Sequence, residues 1–288
     1  MYRFMFTRSS GDECVGEFSL KLFAILGISA GCWSCELLKE HIPFETIDGI
    51  FDAETGSVDQ IQRAAATPEE IAITTALRES AAVSEQQYRY EIAAVHYRRL
   101  TELEPENIQA VLGLARNLRY VGLPKDAVLF LKAVLSKREK ETVLQVELVK
   151  AQIASGLLND AEEGLATLDE LASTDWEFHA LHGVLYDHLG RFEDAQNSYG
   201  AALEFSPRNV SVLNNLSISL AQAGKLDEAI SLLIDLVNSE YANPQVRQNL
   251  ALLYGLKGDL AEAMSLANED LPPETVAQNL EAFRMLHE

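Results

Sequence analysis

Cysteine is scarce in this 288-residue chain: Cys14, Cys32 and Cys35 are the three, all near the N-terminus. Cys32 and Cys35 have the spacing of half a metal site, but no second pair follows them, so neither a structural zinc site nor a disulfide framework is supported. Basic residues are few as well. Lys and Arg number 23 against 44 Asp and Glu, a formal net charge of −21. Nucleic acids and anionic lipid surfaces are gripped by clustered Lys and Arg, so this balance argues against both as partners. The apolar run Leu22 to Ala30 is too short to cross a bilayer as a helix. A glycine-rich phosphate loop, a Gly-x-Ser-x-Gly elbow and a His-Glu-x-x-His pair are also missing. These absences turn the reading from catalysis to binding: a non-enzymatic protein with no cofactor.

What is present is a ruler. Gly224-Lys225-Leu226-Asp227-Glu228-Ala229 has counterparts 34 residues apart at Gly122 to Ala127, Gly156 to Ala161, Gly190 to Ala195 and Gly258 to Ala263. A glycine at each position suits the end of one helix, where the chain needs a permissive backbone. The alanine suits the start of the next, where two helices pack closely. The acids between them (Asp126, Asp160, Asp194, Glu228, Glu262) form a row that could be taken for general acid–base chemistry. They are better read as first-turn residues set against the positive end of a helix. Apolar residues recur at helical spacing in first helices (Val111, Leu114, Leu118) and in second helices (Leu233, Leu236). One hairpin cannot bury such faces alone, but stacked neighbours can.

A period of 34 is that of the tetratricopeptide repeat (TPR). The expectation is an all-α TPR superhelical solenoid of about six helix-turn-helix repeats, running 73–107, 108–141, 142–175, 176–209, 210–243 and 244–277. The first repeat is degenerate, with Tyr88 in the glycine register. Pro272 and the stripe Val276, Leu280, Phe283 predict a C-terminal capping helix. The chain is thus expected to comprise a leader (1–31), a tether (32–72), the solenoid (73–271) and the cap (272–288).

The leader rests on Arg3, Arg8 and Lys21, the apolar run, and Ser29-Ala30-Gly31 before Cys32. This resembles the lipobox of bacterial lipoproteins, with Ser29 where leucine is usual. It implies that Cys32 is the lipidated residue. Trp33 follows it, not the aspartate that favours retention at the inner membrane, so the resemblance implies an outer-membrane, periplasmic location through a lipid anchor alone. The alternative is a soluble cytoplasmic chain that keeps residues 1–31.

First helices of such a solenoid line its concave face. Arg116, Arg119, Lys150, His188, Asn215 and Asn249 are placed there by register. An amide donates and accepts at once, so Asn215 and Asn249, 34 residues apart, suit a bound peptide backbone. The basic cluster Arg116, Arg119 and Lys150 suits a carboxylate. His179 and His182 share a helix face at ligand spacing, but their register packs them against a neighbouring helix, so no metal site is expected.

Three pieces of the last third point to one family: Asn214-Asn215-Leu216 leading to Gly224 to Ala229; Val246-Arg247-Gln248-Asn249-Leu250-Ala251-Leu252 leading to Gly258; and Asp270-Leu271-Pro272-Pro273-Glu274 with Ala277 and Asn279. Over about 210–286 they resemble TadD, the TPR lipoprotein of the tight adherence (Tad/Flp) pilus assembly system, with Ser217 where that family often has glycine. The resemblance implies an assembly factor for a pilus secretion apparatus, with the secretin or another pilus component as protein partner. A soluble TPR peptide-binding adaptor or co-chaperone is the alternative, although the Lys-x3-Asn and Lys-x3-Arg pairs of the dicarboxylate clamp are missing.

Overall fold

A computed structural model describes residues 67–138, 141–172 and 175–287. The expected leader, the lipidation site Cys32 and the tether up to residue 66 lie outside the described residues. Among the described residues every regular element is a helix, thirteen in all. The chain divides at residues 173/174 into two compact units.

The first unit holds α1 (Pro68–Gln86), α2 (Tyr90–Leu103), α3 (Ile108–Tyr120), α4 (Pro124–Leu135), α5 (Thr142–Ala154) and α6 (Leu158–Ala172). Each helix packs on the next, and α3 also packs on α5. α1 starts at Pro68, five residues before the expected edge of the first repeat. Its start is a capping box: Thr67 accepts from the Glu70 N–H while the Glu70 carboxylate accepts from the Thr67 N–H at 2.8 Å, with Pro68 in the first turn. The core gathers Val111, Leu114, Leu118, Ala127, Leu131 and Leu144.

The second unit holds α7 (Trp176–His188), α8 (Phe192–Phe205), α9 (Val210–Gln222), α10 (Leu226–Val237), α11 (Pro244–Lys257), α12 (Leu260–Asp270) and α13 (Pro273–His287). First helices α7, α9 and α11 sit side by side, and α13 packs on α11 and α12. Its largest core cluster includes Leu233, Leu236, Leu250, Leu253 and, from α13, Phe283. The Phe283 ring lies where a Cβ on Gly255 would be, 2.4 Å away, so the cap needs a glycine beneath it.

The ruler has a direct structural meaning. Gly122, Gly156, Gly190, Gly224 and Gly258 all have positive φ, between 72° and 95°, and each ends a first helix. Among the described residues Tyr88 alone among non-glycines has positive φ, 57°, in the same register. The first repeat therefore makes the same left-handed turn without the residue that favours it. The five register alanines, Ala127, Ala161, Ala195, Ala229 and Ala263, are at most 1% exposed.

Candidate partner-binding groove

In each unit the first helices stand in a row, and the sequence-derived candidates fall on those rows. In the first unit the cations are met internally. Glu85, on α1, accepts hydrogen bonds from Arg116 Nη2 at 2.8 Å, Asn117 Nδ2 at 2.7 Å and Tyr97 Oη at 3.1 Å. Burial works to raise the Glu85 pKa, but the bonds from Arg116 and Asn117 outweigh it and hold the carboxylate below its usual range. The same carboxylate, set against desolvation, holds Arg116 above its ordinary value.

Arg119 donates from Nε to Glu147 Oε1 at 2.8 Å, and the two side chains are only 16% and 8% exposed. Lys150 Nζ is 4.0 Å from the other oxygen of Glu147. The three cations thus face two carboxylates of their own unit. Register could have found both acids. Glu147 stands 34 residues before Leu181 and 68 before Asn215, and Glu85 stands 34 before Arg119.

The second unit's row carries amides instead. Asn249 is buried and donates from Nδ2 to Asn214 Oδ1 at 2.8 Å, while its own Oδ1 accepts from Gln245 at 3.3 Å. It is therefore tied into a ladder between α11 and α9. Asn215, its register partner, is half-buried and makes no side-chain hydrogen bond among the described residues. His188 is exposed at the end of α7, yet surrounding protein desolvates the ring enough to lower its pKa.

Beside His188, Asp187 forms a polar centre that no motif in the sequence marks. Its Oδ2 accepts from Tyr199 Oη at 2.8 Å. Ser219 Oγ, fully buried on α9, faces the carboxyl without closing a hydrogen bond, and both Ser219 Oγ and Asp187 Oδ1 are left without a partner. Burial pushes the Asp187 pKa up to about 6, against the opposing effect of Ser219 and Tyr199. Burial and the Asp187 carboxylate together push Tyr199 upward. The Tyr199 ring sits over Gly183, where a Cβ would come within 2.5 Å of it.

The two histidines at ligand spacing differ: His179 meets the neighbouring helix, as register predicts, whereas among the described residues the ring contacts of His182 are within its own helix. His179 stacks on Phe205 with ring centroids 5.4 Å apart, and His182 lies edge-on to Phe178 at 4.7 Å. Among the described residues no three His, Cys, Asp or Glu side chains are placed to hold a metal ion.

The residues behind the family resemblance brace the C-terminal end. Arg247 grips Asp270 with two nitrogens, one of them Nε at 2.8 Å from Oδ2, and Gln248 adds a third hydrogen bond to the same carboxylate. Those bonds, chiefly from Arg247, outweigh burial and hold Asp270 below the usual carboxylate range. The motif pieces around Arg247 and Asp270 are thus joined by an ion pair between α11 and the end of α12.

Two rows of first helices, stacked from successive 34-residue hairpins, define an all-helical repeat fold among the described residues. Comparison with known proteins agrees. Residues 188–253 match the tetratricopeptide repeat family model. The chain is 29% identical over 157 residues to the TPR repeat-containing protein MJ1428 of Methanocaldococcus jannaschii, a match covering 50% of this chain and 27% of that protein. It therefore spans about a quarter of the length of that relative.

Two solved structures share the fold. A tetratricopeptide repeat protein from Parabacteroides merdae superposes with a TM-score of 0.62, over 94% of this chain and 98% of that one, at 10% identity. TTC0263, a thermophilic TPR protein of Thermus thermophilus, gives a TM-score of 0.54 over 62% of this chain and 98% of its own, at 21% identity. The tetratricopeptide repeat match is confined to residues 188–253, and the fold of the described residues is that of the TPR proteins.

Proposed function

We propose that this protein is a non-enzymatic scaffold that holds an extended segment of a partner protein along α7, α9 and α11, and that it serves Tad/Flp pilus assembly from the outer membrane. Asn215 carries the binding half of this reading. It is a half-buried amide on the row of first helices whose side chain makes no hydrogen bond among the described residues, and an amide there can pair with a peptide N–H and C=O together. The charge around it selects the partner. Residues 174–288 contain 17 acidic and 6 basic side chains, so a segment carrying Lys or Arg is favoured.

The pilus half rests on the resemblance over about 210–286. Cys32 is the lipid attachment point in this reading, residues 33–66 give reach, and the partner is the secretin or another pilus component. Arg116 and Arg119 then act mainly in holding α1, α3 and α5 together through Glu85 and Glu147, with Lys150 beside Glu147 on α5.

Deleting the gene tests the physiological role. Surface pili should disappear while growth is unchanged, and normal piliation refutes the assignment. Intact mass of the membrane-fraction protein tests the anchor separately: a chain starting at Cys32 with added acyl mass is expected. An unmodified chain in the soluble fraction overturns the anchor and leaves the soluble adaptor as the reading.

A further inference from the structure

One turn departs from the ruler. After α1, Tyr88 takes φ 57° where the five later turns place glycine. A side chain in the left-handed region crowds its own backbone, so a bulky residue there needs a compensating gain. Burial does not supply it. Tyr88 is 79% exposed, the most exposed of the large hydrophobic side chains among the described residues. Its ring meets another ring instead: Tyr90 lies edge-on to it, with centroids 6.3 Å apart and planes at 87°.

The series continues. Tyr90, the first residue of α2, meets Tyr120, the last residue of α3, at 4.7 Å and 50°. Tyr120 is half exposed, and the Arg119 guanidinium stands 5.4 Å from its ring centre. Three tyrosines therefore form a ladder along the turn edge of the first unit, with its two outer rings open to solvent. Later repeats have Pro124, Leu158, Phe192, Leu226 and Leu260 where Tyr90 stands, so the ladder is particular to the first two hairpins.

Shape narrows the occupant. A sugar ring stacks flat on one open aromatic face, but these rings meet at 87° and 50° and leave a notch on either side of Tyr90. Ridged aromatic surfaces of this kind take the proline rings of a polyproline II segment, which arrives already ordered. Prolines three apart in that helix share a face and are about 9.3 Å apart, a distance within the reach of the two steps of 6.3 and 4.7 Å together. The segment makes no internal hydrogen bonds, so its carbonyls are free to accept from tyrosine hydroxyls. We infer that Tyr88, Tyr90 and Tyr120 form a docking surface for an extended, proline-rich segment of a partner protein. The inference does not rest on the groove reading, because Asn215 and the amide row belong to the second unit.

The test titrates the ¹⁵N-labelled full chain with oligoproline, and with a glycine–serine peptide of equal length as control. Oligoproline should shift the amides of Tyr88, Tyr90 and Tyr120, and the control should not. Tyr88→Gly restores the residue type of the five later turns. It should melt no lower than the parent, because the strain is removed, and should bind oligoproline about three- to tenfold more weakly. Tyr120→Ala should weaken binding to a similar degree. A Tyr88→Gly chain that melts well below the parent shows that the ring serves the fold and overturns the inference. Oligoproline binding that survives both substitutions, or an absence of shifts at millimolar peptide, does the same. Cellohexaose that shifts these amides where oligoproline does not makes the ligand a glycan and overturns the assignment of the partner.

Discussion

Replacing Asp187 by asparagine should stabilise the protein at pH 8 and leave it unchanged near pH 3. The carboxyl is buried between α7, α8 and α9, with one oxygen bonded to Tyr199 and the other unmet. Burial raises its pKa from the ordinary 3.8 to about 6. A pKa raised by folding means that the native state favours the proton. The stability it contributes is full below the unfolded pKa, near 4, and is lost as pH rises through about 6. At about 1.4 kcal/mol per unit, the charged form costs on the order of 3 kcal/mol at pH 8, and about half that if the partial exposure of the residue admits water.

Asparagine keeps an acceptor for the Tyr199 hydroxyl, offers an N–H₂ to Ser219, and carries no charge. The difference in urea midpoint between variant and parent, followed by fluorescence of Trp176 on the same helix, should grow from near zero at pH 3 to a gain equivalent to about 1–3 kcal/mol at pH 8. Comparing the two proteins at each pH cancels the titration of the other carboxylates. A difference that stays constant across this range, or a variant less stable at pH 8, refutes the argument.

The turn glycines and the internal ion pairs make further tests. Gly190→Ala places a Cβ in open space at φ 72°, so its cost is backbone strain alone, about 1 kcal/mol after the gain in unfolded-chain entropy, read from the shift in melting temperature. Gly183→Ala, seven residues earlier, should cost more, roughly 1–3 kcal/mol before its gain in helix propensity, because its Cβ meets the Tyr199 ring. Glu147→Leu strands the half-buried Arg119 and should cost about 2–4 kcal/mol, while the double variant with Arg119→Met recovers most of it in a double-mutant cycle; additive losses would show that the pair is not coupled. Asp270→Asn removes the charge that Arg247 grips, and amide exchange should quicken in α12 and at the start of α11 at pH 7. Because Asp270 is held below its usual pKa, the parent should show the same quickening as pH falls through its folded pKa.

Much of the architecture was legible without coordinates. The recurring glycine appears as a left-handed turn five times, and Tyr88 was already visible as the odd member of that series. The start of α1 was also written in the chain: Thr67-Pro68-x-Glu70 is a capping box, although the mixed polarity of 33–72 drew the expected boundary to 73. The packing of His179 against the next helix followed from register. The groove was less transparent. Arg116, Arg119 and Lys150 stood out as a basic cluster because a period shows which residues share a face. Register puts Glu85 and Glu147 on the same rows, but it does not show that they reach Arg116 and Arg119, some thirty residues away.

The sequence by itself determined the hairpin, its length and its turns, because these depend on interactions within a few residues: glycine at positive φ, acids at helix starts, apolar residues every three or four positions. The tertiary structure alone decided the pairing of Arg116 with Glu85 and of Arg119 with Glu147, the protonation of Asp187 and the meeting of Tyr90 with Tyr120. Each of these is set by the distance and burial created when separate helices pack, and electrostatics and hydrogen bonding depend on that environment more than on residue type.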